Sequence, residues 1–187
     1  YGEDRIEIME HTQNGRLLVY DPQKKTTTTL LDNLFFANGV ALSPDDSFVL
    51  INETSMYRIR KYWLVGEKAG TSEIIIENLP GFPDNISSND KGLYWVALFT
   101  IRNDFVDKTA DKPFFRKLAL RLPEFLQPQP EPYAFALGID ADGNILHNLQ
   151  YGAEDAYYPI TSVKQYGNEL YFGSLSHKGW GKIKAPE

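Results

Sequence analysis

The stretch FFANGVALSPDDSFVLINE, residues 35–53, decides how the whole chain is read. It holds Asn38-Gly39, the turn sequence Ser-Pro-Asp-Asp at 43–46, and an apolar run from Phe48 to Asn52 that is too short for a helix and reads as a strand. Two later stretches copy it: GFPDNISS around Asp84 and YPITSVK around Thr161. Asn38 follows a hairpin turn at Asp21 by 17 residues, Asp84 follows one at Gly66 by 18, and Thr161 follows one at Asp140 by 21. The next apolar run then starts 10, 9 and 9 residues further on, at Phe48, Leu93 and Leu170. Such units are hairpins that cannot bury both faces alone. Their repetition predicts an all-β chain of β-propeller blades stacked about a central channel.

The rest of the chain fits the same frame. Apolar runs at Arg16 to Tyr20, Tyr62 to Val65, Glu73 to Ile76 and Leu93 to Leu98 read as strands, and Asp21-Pro22, residues 89–92, residues 140–144 and Gly167-Asn168 carry turn chemistry between them. Asn38 and Asp84 are 46 residues apart, one blade, whereas Asp84 and Thr161 are 77 apart. The excess is a helical insertion at about residues 111–127. There PFFRKLALRL sets Phe114, Phe115, Leu118, Ala119 and Leu122 at helical spacing, from Pro113 to a stop near Pro123, and QPQPEP (127–132) follows as an extended connector. Three blades do not close a ring that needs four to eight. The chain is therefore expected to be one partial propeller domain, completed by a missing N-terminal half or by self-association. Its opening residues read as strand sequence entered without a cap.

Composition narrows the partners. The 187 residues are 42% apolar and 24% charged, with 25 acidic against 19 basic side chains and a net charge of -6. An acidic chain without a basic stripe argues against nucleic acid as a partner. The absence of cysteine excludes disulfides, thiol catalysis and Cys-ligated zinc. No apolar run approaches the roughly 20 residues of a membrane span.

The motifs FFANGVALSPDD, NETSMYRIRKYW, LPGFPDNIS and YGNELYFGSLSH, in this order, resemble the strictosidine synthase-like family of six-bladed propellers, in the branch of the adipocyte plasma membrane-associated protein. The resemblance runs from about Gly15 to Ile183 and covers the C-terminal half of such a protein, about three of six blades. It implies a secretory or membrane-associated setting. It also implies kinship with calcium-dependent hydrolases, the paraoxonases and the gluconolactonase/regucalcin group, whose channel metal is held by residues matching Asn38, Asp84 and Asn85. A Ca²⁺ cofactor suits this set, because the ion takes six to eight oxygens and accepts carboxylate and amide donors together. The expected substrate is a small-molecule ester or lactone. In strictosidine synthases the third equivalent position is a catalytic Glu, and here it is Thr161, which cannot exchange a proton near neutrality. A condensing enzyme is therefore disfavoured. A non-catalytic propeller that presents an interaction surface at a membrane or cell surface is the alternative.

Plainer readings stand beside these. Asn38-Gly39 can be a turn, and Asp84 a carboxylate that caps backbone N–H groups. His177, in GSLSH after the last apolar run, is the candidate catalytic base at the channel mouth; His147 belongs to an outer hairpin, and His11 lies near the start. Arg58, Arg60 and Lys61 alternate with Tyr57, Ile59 and Tyr62, as on a solvated strand face, with Glu53 available to pair with the arginines or to reach the channel. The 113–122 helix either covers blade surface or serves as a lid or a peripheral membrane-contact element. Asn52-Glu53-Thr54 and Asn85-Ile86-Ser87 are glycosylation sequons.

Overall fold

Each apolar run becomes one strand of an antiparallel meander, and the meanders stand side by side. The computed structural model describes residues 4–123, 127 and 130–187. β1 (Gly15–Asp21) and β2 (Thr26–Leu34) form a pair. β3 (Ala37–Leu42), β4 (Phe48–Glu53), β5 (Arg58–Trp63) and β6 (Ser72–Ile76) form a four-stranded sheet in that order. β7 (Gly81–Ser88), β8 (Tyr94–Ile101), β9 (Ala134–Ile139) and β10 (Ile145–Tyr151) form another, and β11 (Ile160–Tyr166), β12 (Glu169–Ser174) and β13 (Gly181–Lys184) a three-stranded one. The chain thus contains two four-stranded propeller blades flanked by an outer pair and a three-stranded blade. Turn chemistry lies where expected: Asp140 Oδ1 accepts from the backbone N–H of Asp142 and Asn144, with Gly143 at φ +87°.

Period-two alternation explains how one strand serves two cores. In β4, Phe48 and Leu50 point into the layer shared with the β7–β10 sheet, while Val49 and Ile51 pack against Leu17 and Leu34 of the β1–β2 pair. In β8, Tyr94, Val96 and Leu98 join the first layer and Trp95 and Ala97 meet Ile160, Val163, Leu170 and Phe172 of the last blade. These runs read as continuous apolar sequence because both faces are covered. The two ends of the stack are not: Leu18 and Tyr20 on β1 are 48% and 59% exposed, and Tyr166 and Trp180 at the far end 64% and 66%.

The helices differ from the expectations. Three α-helices are present among the described residues, α1 (Asp4–Glu10), α2 (Asp104–Lys108) and α3 (Pro113–Leu120), beside a single 3-10 turn at Thr54–Met56. From Asp4 to Glu10 the chain is thus helical, not strand. Ile6-Glu7-Ile8 alternates like a strand over a stretch too short to decide, and α1 is held by a distant side chain: Arg116 Nη1 donates to Ile8 O at 3.1 Å. The insertion begins at α2, before residue 111, where Asn103 Oδ1 caps by accepting from the N–H groups of Phe105 and Val106. Part of the expected 127–132 connector, and residues 124–126 of the insertion, lie outside the described residues. The expected strand at Tyr62 to Val65 is displaced to β5, because the chain leaves the sheet at Leu64 for a turn with Gly66 at φ +83°.

The solvated strand face on β5 is also corrected. Arg58 and Arg60 are only partly exposed and both bind Glu53, which is fully buried. Lys61 is buried at 4% exposure, its ammonium donating to Ala141 O at 3.0 Å and lying over the rings of Phe48 and Trp63 at 4.3 and 4.5 Å. It ties β5 to the β9–β10 turn of the neighbouring blade.

Candidate functional site

The site begins with a glycine. β7 packs against both β3 and β11, so the innermost strands of three successive blades adjoin. Gly39 makes the first contact possible: a Cβ there would lie 2.6 Å from Asp84 O, 2.6 Å from Ile86 N and 2.7 Å from Asn85 Cα. Asn38-Gly39 is therefore not a turn but an irregular step within β3, where the register with β4 shifts between Ala37 and Val40. Backbone contact at Gly39 carries Asn38 to the same space as Asp84.

That space is a cavity of about 640 Å³ whose lining includes Asn38, Asp84, Asn85 and Thr161. The three repeated positions of the sequence thus share one chamber. Phe36, Phe82, Phe99 and Leu175 supply apolar wall, and Thr54 adds a hydroxyl that donates to Pro83 O at 2.6 Å. Asn85 joins the blades: its Nδ2 donates to Thr161 O at 2.8 Å and to Asp84 Oδ1 at 3.1 Å. With the amide nitrogen engaged, Oδ1 remains the atom suited to a cation. Asn52 Nδ2 donates to Asp84 O at 2.7 Å, fixing the backbone beneath the carboxylate.

This donor set fits a hard cation in kind. Among the described residues no group of three or more His, Cys, Asp and Glu is placed to hold a metal. Asp84 could offer an ion a carboxylate, and Asn38 and Asn85 amide oxygens, an all-oxygen chemistry that suits Ca²⁺ better than zinc.

Glu7 and Asn14 also line the cavity and were not anticipated. Glu7 brings a second carboxylate, carried by α1. Its sequence signal was only the weak Ile6/Met9 spacing, and its arrival depends on Arg116 holding α1 from another part of the chain.

The histidines lie elsewhere. His177 is exposed, its ring 4.7 Å from Tyr157 and 6.4 Å from Tyr158, and it is not part of the cavity lining. His147 stacks on Trp95 at 5.5 Å, on the outer strand β10. His11 ends α1 in a left-handed conformation against Phe35 at 4.9 Å. Its burial, with the positive charges of Arg116 and Arg58, holds its imidazole below the usual range. Glu53 does not reach the channel. Burial alone would raise its pKa, but hydrogen bonds from Arg58, the Phe35 N–H and Arg60 outweigh burial and hold the carboxyl below its ordinary value. Both its sequon neighbours are shut in as well, with Asn52 at 0% and Thr54 at 3% exposure, which closes that sequon to glycosylation.

Comparisons with known proteins agree with this architecture. The family model described as Strictosidine synthase matches residues 4–67. The protein STRICTOSIDINE SYNTHASE-LIKE 3 of Arabidopsis thaliana is 40% identical over 174 residues, which is 90% of this chain and 44% of that protein. Among solved structures, regucalcin from Agrobacterium tumefaciens, titled a calcium-binding protein, superposes with a TM-score of 0.55 at 16% identity, over 90% of this chain and 47% of its own. A gluconolactonase from Xanthomonas campestris gives a TM-score of 0.55 at 14% identity, over 84% and 40%. At such identities the two structures speak for the fold alone. By its sequence the chain belongs with the strictosidine synthase-like proteins, and it spans somewhat less than half the length of the relative it matches.

Proposed function

We propose that these blades form the metal-holding wall of a calcium-assisted hydrolase of small esters or lactones. The observation that carries the reading is that Asn38, Asp84, Asn85 and Thr161, dispersed over three blades, line one partly apolar cavity. The names of the two structural neighbours, a calcium-binding protein and a gluconolactonase, support it as analogy. Asn38, Asp84 and Asn85 would hold the ion, which when bound polarises a carbonyl and stabilises the oxyanion. Phe36, Phe82, Phe99 and Leu175 would take the apolar part of the substrate and exclude water. Glu7 is the carboxylate best placed to act as base, since it lines the same cavity and is not one of the proposed ligands. Blades that complete the ring, from a longer chain or a second copy, would supply the remaining ligands.

The test is thermal unfolding with and without millimolar calcium, beside hydrolysis of phenyl acetate and a γ-lactone by protein carrying the completing blades. The expected results are a calcium-dependent rise in Tm that Asp84→Asn removes, and calcium-dependent turnover that Asp84→Asn and Glu7→Gln both reduce. A Tm insensitive to calcium, together with no turnover of either substrate, would overturn the reading in favour of a non-catalytic propeller, and turnover unaffected by chelation would overturn the role of the ion.

A further inference from the structure

Helix α3 stands on the surface with its polarity reversed. At about 100° per residue, Phe114, Leu118, Leu122 and Phe115 fall within an arc of roughly 100°, while Ala119, Arg116 and Leu120 lie on the opposite side. The apolar arc faces outward: Phe114 is 71% exposed, Phe115 53%, Leu118 49% and Leu122 39%. The arginine faces inward. Arg116 is 2% exposed, and its guanidinium donates to Val106 O at 2.6 Å, Ile8 O at 3.1 Å and the Thr109 hydroxyl at 3.3 Å. Three oxygens from α1, α2 and the turn after α2 thus fix the helix rotation that leaves the phenylalanines out. The helix cannot roll to hide them without stranding a buried charge.

The rim of this face is cationic. Lys112, Lys117 and Arg121 are exposed, and no acidic residue occurs from Lys112 to Leu122, although the chain as a whole carries a net charge of -6. We propose that the α3 face docks on an anionic lipid surface, with Phe114 and Phe115, whose rings meet edge-on at 5.7 Å, entering the apolar boundary and the three cations lying among the headgroups. Charge complementarity selects this occupant: although the chain as a whole is acidic, this face joins an exposed apolar arc to three cations with no carboxylate from Lys112 to Leu122, the combination that an anionic interface attracts and orients. The inference does not rest on the hydrolase reading, because Phe114, Phe115, Lys112, Lys117 and Arg121, which would meet the lipid, do not line the cavity.

The experiment is co-sedimentation of the 187-residue chain with phosphatidylcholine vesicles and with phosphatidylserine-rich vesicles at low and high salt. Binding to the anionic vesicles is expected, weakening with salt. The pair Phe114→Ser, Phe115→Ser should weaken it roughly tenfold per ring, and Lys117→Glu with Arg121→Glu at least about fivefold per charge. Leu18→Ser, at another exposed apolar position, should leave it unchanged. Amide exchange of residues 113–122, slowed on vesicle addition, gives a second readout that needs no variant. Binding equal on neutral and anionic vesicles, binding indifferent to both pairs, or concentration-dependent self-association without lipid that the phenylalanine pair abolishes would each overturn the proposal, the last by showing that a second copy is the occupant.

Discussion

Replacing Gly39 by alanine probes the contact on which the cavity depends. The new methyl carbon would sit 2.6–2.7 Å from three backbone atoms of β7, where ordinary contact begins at 3.4 Å. None of the three can rotate away. β3 and β7 must separate by about 0.8 Å, and overpacking of this kind costs about 1–3 kcal/mol, with rigid backbone on every side pointing to the upper end. Alanine also restricts the unfolded chain, which returns about 0.4–1 kcal/mol, so the net loss is about 2 kcal/mol. For a chain of this length that lowers Tm by about 4–8 °C. Gly179→Ala is the control, since nothing lies within 4 Å of its added Cβ. Near-ultraviolet circular dichroism, read through Trp95 and Tyr94 in the adjoining blade, follows the transition. A Gly39→Ala protein as stable as the parent, with an unchanged response to calcium, would refute the claim that close β3–β7 approach builds the site.

Glu53→Gln should destabilise by about 3–5 kcal/mol, a fall of roughly 10 °C in Tm, because it leaves Arg58 and Arg60 facing each other without their shared carboxylate. The parent should lose stability in acid: a carboxyl held below its ordinary value of 4.5 stabilises the fold above that pH, and the contribution disappears as pH falls through the lower folded value. Urea unfolding below pH 4.5 should show this loss in the parent and less of it in Glu53→Gln. Lys61→Ala should cost about 2 kcal/mol in chemical denaturation, since the buried ammonium bridges to Ala141 O and rests on two rings. The unmodified chain should not condense tryptamine with secologanin in a chromatographic assay, because Thr161 stands where strictosidine synthases carry their catalytic Glu and exchanges no proton near pH 7, and Glu7 enters the cavity from a different element, α1.

The repeats around Asn38, Asp84 and Thr161 were legible because a propeller writes one spacing several times, and a period of two identifies the strands between the turns. Local chemistry was enough for the hairpins at Asp21, Gly66 and Asp140, and for the approximate place of α3. The strict need for Gly39 was not legible. Asn-Gly has the same sequence whether it turns a corner or lies flat against a neighbouring strand, and only β7 at van der Waals distance decides between them. Glu7 shows the same limit from the other side, since what carries its carboxylate to the cavity is a guanidinium more than a hundred positions away. Likewise, the pattern of α3 established an amphipathic helix but not which side faces in. Periodicity reports that two faces differ; which one is buried depends on the partners available, and here three inward-facing oxygens claimed Arg116 and turned the phenylalanines to solvent. Sequence by itself determined the strands, their repeat and the oxygen-rich character of the candidate ligands. Tertiary structure decided which of those residues share a chamber and which way the helix faces, because both are set by contacts between segments far apart in the chain.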